Sequence, residues 1–460
     1  MRGRWRILAA ATATALATIA GPATAPAAAA VDRTPGVSAA TAGPATSAPL
    51  PLGPPGLPEH RDTRVIAPGV TLTTITRGYA SDVNFWTVTV AFFATRAPAD
   101  ALADRLRAAG FVPRVEQVDG RSVDDPVRGP VGFLVRVGRS AVQQDMTDLA
   151  ARLVAAGFSG GDITNTVVNT ALDGSPTTGP WVVRVLRVDR RRATVPVRAH
   201  LGTDIVPGRE TVSSLSARLG AVAAVNGGYF VIGAQDGTPG DLAGISVLGG
   251  HLVSEAVNGR AALLLPARPN GRAGIRRLSD RLALRAADGA RRDLNGVNRV
   301  PGLIRSCGEP GDQPTSAPKH DYTCTNDNEI IAYDRVYGSS ADAGPGVQAV
   351  LDAHGRVVQL AGSRGGPIPV DGRVLQGIGE GAAWLSAHAR VGTVLAIRET
   401  VLDEDGHPVT GAEHGDIVNG GPLLVRDGRP FVDAYTEGFV QPDRPSFYFG
   451  FAVSRNPRTM

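Results

Sequence analysis

Two segments carry residue types and spacing suited to chemistry. Asn226-Gly227-Gly228-Tyr229-Phe230 follows the apolar run Ala221–Val225, and Asn419-Gly420-Gly421-Pro422 follows Asp416-Ile417-Val418. A strand running into Asn-Gly-Gly presents backbone N–H groups and one amide side chain at its end. Glycine lets that backbone take positive φ and come close to a ligand. Such a corner can cradle a sugar hydroxyl or a phosphate oxygen. Taken singly, each copy is equally a hairpin turn, because Asn-Gly is a strong hairpin signal.

Other chemistry has weaker support. His407 and His414 flank Glu413 at a spacing wrong for a helical zinc motif. The glycines of Gln376-Gly-Ile-Gly-Glu-Gly381 lack the strand, helix and following acid of a dinucleotide site. No Gly-x-Ser-x-Gly elbow is set between a suitable strand and helix. No metal ligand set and no cofactor are expected.

Composition bounds the class. The chain has 460 residues, long enough for two or three domains. Lys+Arg total 47 against 43 acidic residues, a net charge of only +4 despite a pI near 9.4, so no nucleic-acid partner is expected. Arg187-Val-Asp-Arg190-Arg-Arg192 is the densest basic cluster and reads as a solvated strand edge or turn. Arg2, Arg4 and Arg6 precede an apolar stretch and Ala-rich cleavage sites, so residues 1–30 read as a secretory signal peptide. No later segment is apolar for long enough to make a stable membrane span. A secreted, extracellular or wall-associated protein follows. In that oxidising setting Cys307 and Cys324, the only cysteines, are expected to pair.

Residues 31–60 read as a Pro/Ala-rich disordered linker. An internal repeat comes next. Leu102-Ala-Asp-Arg-Leu-Arg-Ala-Ala-Gly110-Phe111 matches Leu149-Ala-Ala-Arg-Leu-Val-Ala-Ala-Gly157-Phe158. Each copy follows an alternating strand: Trp86, Val88, Val90 and Phe92 share one face, as do Phe133, Val135 and Val137. Pro98 suits a first helical turn, Ser140 with Gln143 a capping box, and Gly110 and Gly157 helix stops. The unit is strand–helix–strand, twice. From residue 178 onward strands and Gly/Pro turns dominate, with one helix over Glu210–Leu219 and hairpin turns at Asp371-Gly372 and Asp427-Gly428. The fold class expected is α+β, a β-α-β doublet followed by a larger sheet-rich α+β domain over 178–460.

The doublet, with the segment Phe133-Leu-Val-Arg-Val-Gly138-Arg-Ser, resembles the SPOR domain over residues 80–170. That resemblance implies a partner, peptidoglycan glycan strands stripped of their peptides, bound on the sheet face. The segment Gly220–Phe230 resembles a hallmark of the phosphodiester glycosidase family. Pro180–Asp189, Asn419–Gly428 and Arg455-Asn-Pro-Arg458-Thr459 match the same family in order. This resemblance implies a secreted hydrolase that cleaves a sugar-1-phosphodiester, in a wall polymer or exopolysaccharide. The reaction also needs a carboxylate as nucleophile or base; Asp241, in the Gly-rich loop that the family carries after its first Asn-Gly-Gly, is one candidate, and Glu380 and Asp416 are weaker ones. Asn226, Gly227, Gly228, Tyr229, Asn419, Gly420, Gly421, Arg458 and Thr459 would bind substrate, with Arg458 as the guanidinium fork for phosphate. The chain stops soon after Arg458, where the family continues, so an incomplete domain is expected. The alternative is a non-catalytic wall-binding protein with a degenerate or incomplete glycosidase domain.

Overall fold

The computed structural model describes residues 48–118, 129–130, 132–166, 177–257, 259–268, 271–305, 311–313, 323–409, 414–431 and 437. The expected leader, most of the linker, Cys307, Arg458, Thr459 and the match at Arg455–Thr459 lie outside them.

The fold is α+β and mostly strands. β1 (Glu59–Ala67) and β2 (Val70–Arg77) open it. The doublet follows as β3 (Trp86–Phe93), α1 (Arg96–Ala108), β4 (Pro113–Val118), β5 (Gly132–Ser140), α2 (Gln143–Ala155) and β6 (Asp162–Asn165). Its sheet has the order β4-β5-β3-β6, all antiparallel. Ala99, Ala103 and Leu106 on α1, and Met146, Leu149 and Leu153 on α2, repeat at helical spacing and are buried. They meet Val88, Val90, Phe133, Val135 and Val137 from the sheet. Full burial of Leu106 and Leu153 stabilises the module by about 1.5–3 kcal/mol each. Each helix stops at a positive-φ glycine, Gly110 or Gly157, and the next phenylalanine N–H returns to a carbonyl five residues back. Those phenylalanines, Phe111 and Phe158, meet edge to face with centroids 5.9 Å apart.

Two local expectations change. A register shift between Thr89 and Ala91 reverses the strand's alternation, so Phe93 rather than Phe92 packs on the helix-side core. The expected capping box at α2 is absent: the N-cap is Val142, and Ser140 Oγ accepts the Val142 N–H while donating to Asp145.

β7 (Trp181–Val188) pairs with β2 along its full length, from Val70–Val188 to Arg77–Trp181, giving the sheet β1-β2-β7. The doublet is therefore inserted between two neighbouring strands. The described residues of the neck are joined by hydrogen bonds. Tyr79 N–H donates to Thr178 O at 2.8 Å, Asn84 Nδ2 to Gly179 O at 2.5 Å, and Thr166 N–H to Phe85 O at 3.0 Å. Trp86 then pairs with Asn165 in β3 and β6. Arg190, just beyond β7, is not solvated as expected: it is buried and donates to Arg268 O at 3.2 Å.

Helix α3 (Val212–Leu219) is capped by Thr211, whose hydroxyl accepts Ser214 N–H, and ends at the left-handed Gly220. Strands then dominate: β8 (Ser246–Leu248), β9 (His251–Ser254), β10 (Ala261–Pro266), β11 (Gly274–Arg277), β12 (Ser279–Arg285), β13 (Arg291–Asp293), β14 (Gly296–Val297), β15 (Leu303–Arg305), β16 (Thr323–Thr325), β17 (Ile330–Tyr333), β18 (Ser340–Leu351), β19 (Val357–Pro367) and β20 (Arg373–Gly377). Helix α4 (Gly379–His388), β21 (Ala396–Leu402) and β22 (His414–Asn419) follow. β22 lies inside the sheet β11-β10-β22-β8-β9; a second five-stranded sheet has the order β14-β17-β20-β18-β19, and β13-β12-β21 a third. Leu264, Leu278, Leu284, Ile330, Leu351, Leu375 and Leu385 join these layers in one core.

Asp427 and Gly428 form the expected tight turn, both at positive φ, between the short strands Val425–Arg426 and Arg429–Pro430. Asp371-Gly372 does not join paired strands, because β19 and β20 both pair with β18. The run Ala221–Val225 is no strand either. It has no ladder partner among the described residues, and Val225 is 71% exposed.

Candidate functional site

The site starts at the end of β22. Central position in a sheet explains why an apolar run precedes Asn419: Ile417 faces the core, and Asn419 pairs with Ala262. Its side chain is buried and turns toward the first Asn-Gly-Gly corner. Asn419 Oδ1 accepts the Tyr229 N–H at 2.5 Å. Asn419 Nδ2 faces Tyr229 O at 3.4 Å, Gly244 O at 3.5 Å and Ser246 Oγ at 3.4 Å. Tyr229 Oη donates to Gly421 O at 3.0 Å, and Gly420 N–H to Ala261 O at 3.1 Å. The two corners are thus hydrogen-bonded to each other.

Glycine is required on both sides of this amide. Gly228 lies at φ +63°, and a Cβ there would stand 2.8 Å from Asn419 Oδ1. Gly244, at φ +134°, would place a Cβ 3.2 Å from the Asn419 Cβ. Asn226 and Gly227 are exposed and stand outside this contact. Replacing Asn419 by Ala is expected to leave the Tyr229 N–H and the Gly244 carbonyl short of partners. A loss of about 1–3 kcal/mol in stability should follow in urea unfolding. An unchanged midpoint would show that the corners hold together without the amide.

From Tyr229 the chain forms a small hairpin. Ala243 N–H donates to Tyr229 O at 2.9 Å and Val231 N–H to Asp241 O at 2.7 Å. Its return arm carries Asp241, so the corner bonded by Asn419 also positions that carboxyl. The far end is docked as well: Asp236 accepts from Thr323, and Thr238 Oγ1 lies 3.0 Å from Tyr337 Oη.

Asp241 lines a small cleft of about 20 Å³ with Gly244, Glu255, Asn295, Arg299, Arg305 and Asp312. Arg299 is its buried electrostatic centre. Nε donates to Glu255 Oε1 at 2.5 Å, while Nη1 and Nη2 grip both Glu329 oxygens at 2.9 and 2.5 Å. Burial opposes its charge, but Glu329 and Glu255 outweigh burial and hold the guanidinium pKa well above its ordinary value. Glu255 Oε2 also accepts Val297 N–H at 3.0 Å, and Glu329 Oε2 accepts Gly302 N–H at 2.7 Å. Asp241 is different. No side chain among the described residues donates to its carboxyl. Burial first, and then Glu255, push its pKa well above the usual carboxylate range, against a smaller opposing pull from Arg299. Burial and the nearby Glu255 carboxyl favour the protonated form of Asp241. The ionised nucleophile or base expected from sequence is disfavoured by that burial.

The weaker acidic candidates sit elsewhere. Asp416 is buried and structural, accepting Ala199 N–H at 3.0 Å and Gly249 N–H at 2.8 Å. Glu380 is exposed at the start of α4. Sequence reading missed Glu255, Arg299, Glu329, Arg305 and Asp312. Its available signal was a lone charge inside an apolar strand context, as at Leu252-Val-Ser-Glu255-Ala-Val257. Among the described residues, Asp403, Asp405 and His407 form the one acid–His group close enough to hold a metal. Their turn already explains the clustering, since Asp403 Oδ1 accepts the Asp405 and His407 N–H groups.

A second polar pair links β9 to the loop after β17. His251 Nε2 lies 2.6 Å from Asp334 Oδ2. That hydrogen bond raises the His251 pKa against the effect of burial, and Asp334 is lowered because the His251 contacts overcome its own desolvation. The histidine part of this stabilisation is complete below its unfolded pKa, about 6.5, and is lost as pH rises through the raised folded value. The aspartate part is lost as pH falls through its depressed value. The Tm difference between the parent and His251→Gln should therefore be largest near pH 5–6 and shrink as pH rises through the raised His251 pKa. The His251 side chain is 42% exposed, so screening limits the effect to roughly 1 kcal/mol or less. A pH-independent difference would exclude an ionic contribution.

On the doublet, the sheet face away from the helices carries a polar ladder. Arg136 Nη1 donates to Glu116 at 2.8 Å and its Nε to Thr89 at 3.1 Å; Arg114 donates to Glu116, Thr87 and Gly138 O, each at 2.9 Å. Arg136 and Thr87 are buried there, so that part of the face expected to bind glycan is closed. Phe85, Arg114 and Arg139 stay accessible, with guanidinium carbons 5.3 and 4.3 Å from the Phe85 ring centroid.

Residues 82–161 match the model of the SPOR domain. A search of curated proteins finds no match. Among solved structures, a protein from Burkholderia pseudomallei K96243 named "putative exported protein" is 35% identical, with 87% of this chain and 80% of that chain covered and a TM-score of 0.76. A hypothetical protein from Synechocystis is 15% identical over 83% of this chain and 60% of its own, with a TM-score of 0.43, too distant to bear on fold or function. The chain contains a SPOR domain, inserted between β2 and β7, and it belongs to the family of that Burkholderia protein.

Proposed function

We propose that this protein is an exported cell-envelope hydrolase. Its SPOR domain takes it to peptidoglycan glycan strands, and its larger domain cleaves a sugar-1-phosphodiester. The SPOR match and the name of the Burkholderia relative support the location. Among the described residues no helix is long and apolar enough to cross a membrane. One observation carries the catalytic reading: Asn419, at the end of β22, holds Tyr229, the start of the hairpin that carries Asp241 into a cleft lined by carboxyls and guanidinia.

In the proposed reaction Arg305 holds the phosphate through its planar fork. Glu255, paired with Arg299, accepts a proton from the attacking water. Asp241 gives its proton to the departing phosphate oxygen. The C1–O bond breaks, and water oxygen joins the sugar. Arg458 is proposed as a second phosphate ligand on the strength of the family resemblance alone. Hydrolysis of a sugar 1-phosphate methyl diester in heavy-oxygen water tests the scheme. Label in the sugar supports it. Label in the phosphate, or no turnover, defeats it.

A non-catalytic wall-binding role is the second reading, favoured by the exposed Ala221–Val225 run beside the first corner. The same assay decides between them. Cys307–Cys324 pairing is also part of the proposal; no cysteine is free among the described residues, and Cys324 is buried. Thiol titration of the unfolded, unreduced chain should find no free thiol.

A further inference from the structure

On the SPOR sheet one arginine is set apart from its neighbours. Phe85, Thr87 and Thr89 alternate onto the face away from the helices, where they meet Arg114, Arg136 and Arg139. Glu116 pairs with Arg114 through Oε1 at 2.9 Å and with Arg136 through Oε2 at 2.8 Å. Arg139 has no ion pair among the described residues. Its place comes from a bulge. Between Val88–Val137 and Trp86–Ser140, Thr87 alone faces both Gly138 and Arg139. Gly138 takes φ +80°, and a Cβ there would stand 2.3 Å from Leu149 Cδ2, on the helix side. The extra residue returns Arg139 to the face that Arg136 already occupies. Bonds of 2.9 Å fix the bulge: Thr87 Oγ1 and Arg114 Nη1 both donate to Gly138 O, and Arg114 Nη2 donates to Thr87 Oγ1.

Arg139 is exposed, yet its guanidinium is held in place. Its Cζ lies 4.3 Å from the Phe85 ring centroid, and Nη2 donates to Asp82 O at 2.9 Å. Its other N–H groups have no acceptor among the described residues. A planar, stacked fork with an uncompensated charge suits a carboxylate, which two N–H groups can bind at once. Because stacking already orients the fork, little side-chain freedom is lost on binding. On a peptidoglycan strand the carboxylates belong to lactyl ethers on alternate sugars, and stem peptides attach to them through an amide bond. From this geometry we infer that Arg139 is the specificity-determining residue of the SPOR domain. It grips a free lactyl carboxylate, and by that contact the domain distinguishes a peptide-free stretch of strand from a substituted one. An amidated lactyl group is neutral, offers a single acceptor oxygen and brings a peptide into the same space. Arg114 and Arg136, both paired with Glu116, support the face rather than read the ligand. The inference rests on the peptidoglycan reading of the SPOR match and is independent of the hydrolase reading.

The test measures binding of the full chain to soluble, peptide-free glycan strands by titration calorimetry. One batch keeps its lactyl carboxylates free. In the other they are converted to methylamides, which removes the charge and adds little bulk. The parent should bind the free-acid strands at least about 10-fold more tightly. Arg139→Gln should lose about the same factor on the free-acid strands and bind both batches alike, because guanidinium and carboxylate act as one pair. The comparison of batches uses the unaltered chain, so it holds whether or not the variant folds. Equal binding of both batches by the parent overturns the inference and leaves peptidoglycan binding intact. An Arg139→Gln protein that still prefers the free acid does the same. Binding of neither batch by the parent overturns the peptidoglycan reading as well.

Discussion

Asp241→Asn should lower kcat on a sugar-1-phosphodiester by about 10²–10⁴-fold and, at the same time, raise the melting temperature at pH 8. The two effects share one cause. The Asp241 carboxyl is buried with no side-chain donor among the described residues, beside the Glu255 carboxyl. A carboxyl whose folded pKa lies above its unfolded value, about 3.9, binds its proton more tightly in the folded state. It does no harm below pH 4. Its ionisation destabilises the fold progressively as pH rises toward the folded pKa. Asparagine never ionises, so parent and variant should melt alike near pH 4 and separate at pH 8, the variant higher. Activity lost together with stability gained marks a group kept for function. A lower melting temperature at pH 8 would show instead that the carboxylate is ionised and satisfied in the fold.

Arg299→Met should have the largest effect on stability. This guanidinium is buried between Glu255 and Glu329, with the shortest contacts at 2.5 Å. Removing it strands the buried Glu329 carboxyl and the half-buried Glu255 carboxyl. Breaking such a cluster from one side costs about 3–5 kcal/mol, far more than the intact cluster contributes over an apolar replacement. Adding Glu255→Gln and Glu329→Gln should restore much of the loss, because the orphaned charges disappear with the arginine. Chemical denaturation of the single and triple variants reads this directly. A triple variant no more stable than the single one would mean that Arg299 acts through packing rather than charge. Activity should not return in the triple variant, since Glu255 is the proposed base.

Much of the architecture was legible along the chain. The repeated Leu-Ala-x-Arg-Leu-x-Ala-Ala-Gly-Phe and its flanking alternation are local signals, and they locate the SPOR helices, their glycine stops and their strands. The turn at Asp427-Gly428 and the strand ending at Asn419 are local in the same way. Local signals failed where the outcome depended on a distant partner. Ala221–Val225 is apolar enough for a strand, but a strand exists only through its ladder, and none forms there among the described residues. Phe92 lost its place in the core to a bulge, and Ser140 bonds Asp145 rather than capping α2, whose N-cap is Val142.

For the candidate site, residue types and glycine spacing already show along the chain that two Asn-Gly-Gly corners exist and that Asp241 follows the first of them. Packing adds that Asn419 reaches across to Tyr229, that Arg299 gathers Glu255 and Glu329, and that burial raises the Asp241 pKa. Those residues are separated by tens to hundreds of positions, and hydrogen bonding and desolvation between them are properties of the packed chain. The SPOR insertion belongs to the same class, because β2 and β7 become neighbours only once a hundred intervening residues have folded away from them.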